Sequence, residues 1–423
     1  MADASINGKA SIGSLCAREP DYGVSSRAVE RTDESQPKYI RITDFTDDGI
    51  ERNHTFVAAS DYSEKNKLHM DDILFARTGA TVGKTYYYDG EIGDAIFAGY
   101  CIRFRIDPSK AIPKYVYWYT KTITFQCWVN SIQRPSGQPN INKEEYKAHL
   151  IPIPGLATQN RLVAFMDSAA QQRREKLREA EELLAGMSAY VSVQLALPKK
   201  PTKNIYGFGI TRKALQGVID PKRHLLAALQ TSFTISDICT ILDEKVNPST
   251  FGDATIDWIR IDDLPNRPWD IEETRTQPAN EVTGTFFEVQ PNDILVARLG
   301  PTLLNQKIVI VRSTARTTIA SSEFLVLRCK PNISPEALMW VLRTEYYKEL
   351  MHSHTRGSTP SRYRLNRDDM LNLPFPQMEP VQDSIEKEAH RRRDNARTLR
   401  SEADSCWAAA KAAFEKNLLE VEA

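Results

Sequence analysis

The chain has 423 residues, 41% hydrophobic and 26% charged, an ordinary globular composition with room for two or three domains that each bury a core. Its 55 basic and 55 acidic residues cancel, so no overall field draws the molecule onto nucleic acid, and fibrous and disordered classes are excluded. Cys16, Cys101, Cys127, Cys239, Cys329 and Cys406 are scattered, with no Cys-x-x-Cys pair or His cluster, and read as buried free thiols of a reducing compartment. No apolar run approaches the length of a membrane span and Met1 to Ala10 lacks a signal-like apolar core, so a cytoplasmic protein with no membrane partner is expected.

In chain order, Arg18 to Gln36 reads as a polar loop and Tyr39 to Ile42 as a short strand. Strands Ile73 to Ala76, Thr85 to Tyr88 and Ala95 to Ile106 follow. Pro113 opens a helix running to Trp128, with Tyr115, Trp118, Tyr119 and Thr122 on one face. Such a row can stack bases, but a helical stripe of rings normally packs inward, and core is the preferred reading.

From Gln159 the apolar spacing becomes 3–4. Val163, Met166, Ala170, Leu177, Ala180, Leu184, Met187 and Val191 share a seam interrupted by Arg173, and the coiled-coil helix ends before Pro198. Pro198 to Lys203 is a linker. The second half places strands at Trp258 to Ile261, Ile294 to Ala297, Ile308 to Arg312 and Phe324 to Arg328, then a helix from Pro335 to Leu350. A second seam, Ile385, Ala389, Ala396, Leu399, Ala403, Cys406, Ala410 and Ala413, again carries one arginine, Arg392. Helices of ~30–40 residues rise roughly 45–60 Å, which overruns a domain of this size, so each is expected to pair with the other rather than only with its own domain. Leu177, Leu184 and Met187 would face Leu399, Ala403 and Cys406.

The two halves repeat one another. Asp72-Ile73-Leu74-Phe75-Ala76-Arg77-Thr78-Gly79 returns as Asp293-Ile294-Leu295-Val296-Ala297-Arg298-Leu299-Gly300, and Tyr39-Ile40-Arg41-Ile42 returns as Trp258-Ile259-Arg260-Ile261. Ile151-Pro152-Ile153-Pro154 and Leu373-Pro374-Phe375-Pro376 each lead into a long charged helix. The chain is a tandem duplication of a domain followed by a helix.

Catalytic signatures are missing. Gly79 to Thr85 nearly spells a phosphate-cradling loop but has three residues between its glycines where four are needed, and it leads into a strand instead of a helix. His352 and His354 lack a third ligand nearby, and no Gly-x-Ser-x-Gly or His-Glu-x-x-His occurs. What both halves keep is an arginine (Arg77, Arg298), a glycine turn (with Thr81 in the first) and a lysine (Lys84, Lys307) that can meet phosphates, or equally a solvated turn. Before each Pro-x-Pro lies a polar loop: Gln133 to Asn142, with Arg134, Ser136, Gln138 and Asn140, and Thr355 to Arg364, with Arg356, Ser358, Thr359, Arg362 and Tyr363. Amide and guanidinium groups suit adenine and guanine edges, although Gly, Pro, Ser and Asn are also plain turn formers.

With these residues in place, the chain resembles the specificity subunit of type I restriction-modification enzymes over nearly its whole length. The likeness rests on the duplicated domain and helix, on Asp72 to Gly79 and its echo, on Ser136-Gly137-Gln138-Pro139-Asn140-Ile141-Asn142, and on Ile151 to Pro154 before the Gln159 helix. The resemblance implies an α+β fold with two similar target-recognition domains separated by two long antiparallel coiled-coil helices. The implied boundaries are 1–157 and 198–377 for the domains, the latter including the linker, with spacer helices 158–197 and 378–423. It implies double-stranded DNA as partner, each domain reading half of a split site. Two modification subunits would methylate adenine with S-adenosylmethionine, and two restriction subunits, where present, would use ATP and Mg to translocate and cleave. No cofactor, metal or catalysis is implied for this chain. A scaffold that assembles proteins through its helices without touching DNA is the competing class.

Overall fold

The computed structural model describes residues 8–50, 55–132, 139–198, 229, 231–266, 271, 274–359 and 362–422. It divides into two compact units, Met1–Arg178 with Leu399–Ala423, and Glu179–Thr398. Among the described residues no helix is long and apolar enough to cross a membrane.

In the first unit a four-stranded antiparallel sheet is built from β1 (Asp21–Tyr22), β2 (Asp72–Ala76), β3 (Thr85–Tyr87) and β4 (Cys101–Arg105), in the order β1-β4-β2-β3. The run Ile73-Leu74-Phe75-Ala76 is buried on both faces. Ile73 and Phe75 join a core with Ile102, Phe104 and the aromatic helix, while Leu74 and Ala76 join another with Ile40, Phe45 and Tyr86. Alternation thus feeds two cores from one strand, as a sheet covered on both sides requires. The expected continuous strand from Ala95 to Ile106 is instead two. Ala95–Phe97 pairs in parallel with Lys38–Ile40, and the chain turns at Gly99 and Tyr100 before entering β4.

The expected helix from Pro113 to Trp128 also breaks in two, α1 (Pro113–Tyr119) and α2 (Ile123–Ile132). The Thr122 hydroxyl accepts from Phe125 N at 3.2 Å and donates to Tyr119 O at 2.7 Å, so this short polar side chain ends one helix and caps the next. Tyr115, Trp118 and Tyr119 are buried, which is the core reading. The long helix α3 (Leu156–Gln194) carries Gln159 in its first turn, whose Nε2 donates to Pro154 O and whose Oε1 accepts from Ile112 N just ahead of Pro113.

His149 sits in this aromatic cluster, with its ring centroid 4.3 Å from Trp128 and 5.2 Å from Phe125. Burial pushes its pKa down to about 4 from the ordinary 6.5. The unfolded chain therefore takes up a proton near pH 6.5 that the fold refuses until about pH 4. Stability from this residue is complete above about 6.5 and is lost as pH falls toward 4. Melting temperatures measured across this window should fall in the parent and flatten in His149→Phe; equal slopes in both would remove His149 as the cause.

The second unit rebuilds the sheet as β5 (Cys239–Ile241), β6 (Ile294–Ala297), β7 (Ile308–Ile310) and β8 (Phe324–Cys329), in the order β5-β8-β6-β7. The expected helix from Pro335 to Leu350 again divides, into α4 (Pro335–Leu342) and α5 (Glu345–Ser353), with Thr344 placed as Thr122 is: it donates to Val341 O at 2.7 Å and accepts from Tyr347 N at 3.3 Å. Gln382, the first residue of α6 (Gln382–Glu422), is bonded as Gln159 is in the first turn of α3, accepting from Ser334 N and donating to Asn332 O. A parallel strand pair recurs as well, Thr255–Ile259 with Thr318–Ser321.

The long helices run antiparallel within each unit. In the first, Arg173 lies 3.2 Å from Asp404 and Lys176 meets Glu402. In the second, Arg392 donates to Leu183 O at 3.0 Å and Tyr190 meets Ser384. Both seam arginines are paired, Arg173 through its Nη groups with Asp48 and Asp404, its Nε being shielded with no partner among the described residues, and Arg392 with Glu388 and the ring of Tyr190. Packing against a domain accompanies pairing: Leu162, Met166, Ala170, Trp407, Ala410, Phe414 and Leu418 enter the core of the first unit. Leu184, Met187 and Ala403 are buried, Leu177 and Leu399 half-buried. Cys406, assigned to the seam, is exposed, and Trp407 takes its place. After Ala403 the burial steps by four, three and four to Trp407, Ala410 and Phe414, because these rings fit against Trp118 and Tyr115. Cys127 is exposed too, so the expectation of buried thiols fails at Cys127 and Cys406; all six cysteines are free.

Candidate nucleic-acid interface

Each central strand has a buried aspartate at its start, Asp72 within β2 and Asp293 just before β6, and an arginine just after its end. Asp72 accepts from Arg105 Nε at 2.8 Å and Nη2 at 3.0 Å, and from His69 N at 2.9 Å. Asp293 accepts from Arg328 Nε and Nη2, both at 2.8 Å, and from Gln290 N at 2.8 Å. The preceding residues, Asp71 and Asn292, are both left-handed, with φ of 69° and 74°. This clamp was not assigned from the sequence, although the repeated aspartate was its visible trace.

At the other end of the strand, Arg77 N donates to Tyr100 O at 3.0 Å and Arg77 O accepts from Ile141 N at 2.9 Å, while Gly79 N donates to Pro139 O at 3.0 Å. The end of the central strand is thereby laced to the polar loop. The second unit repeats the lacing: Arg298 N donates to Glu323 O at 3.0 Å, Leu365 N to Arg298 O at 2.9 Å and Gly300 N to Tyr363 O at 2.8 Å. Two segments that sequence singled out separately thus form one edge in each half. In both, the arginine is half-buried and its Nε is shielded with no hydrogen-bond partner among the described residues. A desolvated guanidinium nitrogen without an acceptor is costly, and a ligand acceptor would relieve it.

The turn after Arg77 is rigid. The buried Tyr146 hydroxyl donates to Ala76 O at 2.9 Å and accepts from Gly83 N at 3.2 Å. Gly83 has φ +83°, and a Cβ there would lie 2.6 Å from Val129. Gly79–Thr81 makes one 3-10 turn and strand β3 follows, so no helix N-terminus meets a phosphate here. Thr81 Oγ1 is also shielded without a partner among the described residues.

The remaining candidates separate. Lys84 is half-exposed and 3.9 Å from Asp47, and Asn140 is exposed. Lys307 donates to Ile261 O at 2.9 Å, a structural bond that favours the turn reading for this lysine. Arg356 pairs with Asp369 at 2.7 Å, Ser358, Thr359 and Arg362 are exposed, and Tyr363 is half-buried on the edge beside Gly300. Arg134, Ser136 and Gln138 lie outside the described residues. No group of three His, Cys, Asp or Glu among the described residues is arranged to hold a metal, His352 and His354 included.

The family of the type I restriction modification DNA specificity domain matches residues 12–182. No curated protein matches the chain. Solved structures align over nearly its full length. One, from work on complex assembly and conformational transition of the type I R-M system, has 14% identity and a TM-score of 0.48, covering 98% of this chain and 97% of that one. The HsdS subunit from Thermoanaerobacter tengcongensis has 14% identity and 0.35, covering 98% and 95%, and the type I restriction-modification S subunit from M. genitalium 13% and 0.42, covering 99% and 98%. Within this chain, residues 12–182 are what is similar to the type I restriction modification DNA specificity domain. The second half rebuilds the first half's strand order, aspartate clamp, split helix and glutamine-led long helix.

Proposed function

We propose that the chain reads a split DNA site, one half by each domain, and directs partner subunits that methylate adenine with S-adenosylmethionine or cleave with ATP and Mg. The carrying observation is the repeated edge: an arginine with a shielded, acceptor-less Nε, laced to a polar loop, at the same place in both halves. On this reading residues 1–157 and 198–377 are the recognition domains, and 158–197 with 378–423 are spacer helices on which two modification subunits dock. The neutral chain supplies base contacts and the partners complete the grip on phosphate. Bases are contacted by Arg77, Thr81, Asn140, Arg298, Arg356, Ser358, Thr359, Arg362 and Tyr363, with Arg134, Ser136 and Gln138 in the first polar loop and Lys84 on the backbone.

The test is the genomic methylation motif in cells with and without the gene. A two-part adenine-methylated sequence should vanish with it. Replacing residues 1–157 by those of another family member should change one part of the motif and leave the other; a change in both parts would defeat the modular reading.

A further inference from the structure

The two equivalent arginines stand on different supports. In the first unit the Arg77 guanidinium lies over the ring of Tyr22, 4.9 Å from its centroid. Tyr22 ends strand β1, whose other residue, Asp21, is gripped by Arg103 Nε at 3.0 Å and Nη2 at 2.6 Å. Gly23 follows, and a Cβ there would lie 2.2 Å from Phe97 O, so β1 can press against the turn that carries Tyr100 only with glycine at this position. Tyr22 is 40% exposed and Tyr100 62%, and Tyr100 O holds Arg77 N. One accessible ring therefore lies against the half-buried guanidinium, and a second accessible tyrosine is bonded through its carbonyl to the same arginine's backbone. In the second unit the position of Tyr100 is taken by Glu323, whose carboxylate is paired with Arg364 at 3.0 Å and is held below the usual carboxylate range by that hydrogen bond.

We infer that Tyr22 is a pedestal presenting the Arg77 guanidinium edge-on to a guanine in the half-site of the first domain, and that Tyr100 is a further DNA-contacting residue there. This rests on the reading proposed above. A stacked guanidinium has its face covered, and with Nε shielded it is the in-plane Nη groups that can match guanine O6 and N7 in the major groove. At the second arginine the equivalent position carries a carboxylate, held by Arg364, instead of a ring, so its half-site is read with different chemistry. Tyr22 acts through Arg77 and is a positioning residue.

The experiment uses the full chain assembled with its modification subunits, and a panel of duplexes in which each base pair of both half-sites is varied in turn. Tyr22→Leu should lose about tenfold in discrimination at one G·C pair of the half-site read by the first domain. Tyr22→Phe, which keeps the ring, should retain it, and Tyr100→Ala should weaken that half-site alone. Unchanged discrimination in Tyr22→Leu, an equal loss in Tyr22→Phe, or a loss spread evenly over all sequences would overturn the pedestal. Arg77→Ala separates the two levels: if it binds like the parent, the edge itself is not the reading surface, whereas if it fails while Tyr22→Leu does not, only the pedestal is wrong. Melting curves of each variant control for folding.

Discussion

Asp72→Ala should unfold the first unit under conditions that Asp293→Ala survives. Asp72 is fully buried and bonds two Arg105 nitrogens and His69 N, with Arg103 Nη1 at 3.5 Å. Arg103 is itself 1% exposed. Removing the carboxylate takes the partner from Arg105, which is 27% exposed, and one of two carboxylates from the buried Arg103, which keeps Asp21; breaking a buried pair costs up to ~3–5 kcal/mol of the ~5–15 kcal/mol that holds a domain. It also frees the turn at His69, where Asp71 holds a left-handed φ of 69°. At Asp293 the partner Arg328 is 39% exposed and can rehydrate, so the loss should be nearer ~1–3 kcal/mol. Urea unfolding of the full chain, followed by hydrogen exchange at β2 and β6, measures both. Equal losses would show that the second arginine and its burial add nothing to the clamp.

The clamp also shows where sequence reading stops. Repetition of Asp72 to Gly79 exposed the duplication, because an apolar run between an aspartate and an arginine is conspicuous in one dimension. The arginines that grip Asp72 and Asp293 lie a strand away, and strand register is not written locally. The broken aromatic helices had the same cause. Thr122 falls on the helical face by spacing, but its hydroxyl serves better as a cap than as a mid-helix side chain. At Cys406 the spacing was misread by one residue, since Trp407 and Phe414 answer to the rings of Trp118 and Tyr115 and not to the opposite helix alone. Tyr22 and Tyr100 gave no signal. Each sits in polar or turn sequence, and only the pairing of β1 with β4 and the turn at Gly99 bring both beside Arg77.

Changing Arg77 and Arg298 together to alanine should abolish site-specific methylation while leaving the chain folded and assembled. Neither Nε has a bond within the described protein, so truncation removes no such partner and relieves a shielded donor. A bidentate arginine contact is worth ~1–3 kcal/mol of base discrimination, about 5- to 150-fold. The residues belong to separate units with separate lacing, so the two losses should add, giving about 30-fold to 20,000-fold in the double variant. Lys307→Ala is the contrast: its ammonium holds Ile261 O, so its loss should appear in the melt of the second unit and only weakly in DNA affinity. Binding of the assembled complex to its own site and to a scrambled duplex, at several salt concentrations, separates the cases. Loss of discrimination with the salt slope little changed marks base readers, and loss on both duplexes with a shallower slope marks phosphate contacts. If the double variant protects DNA as the parent does, the scaffold alternative gains.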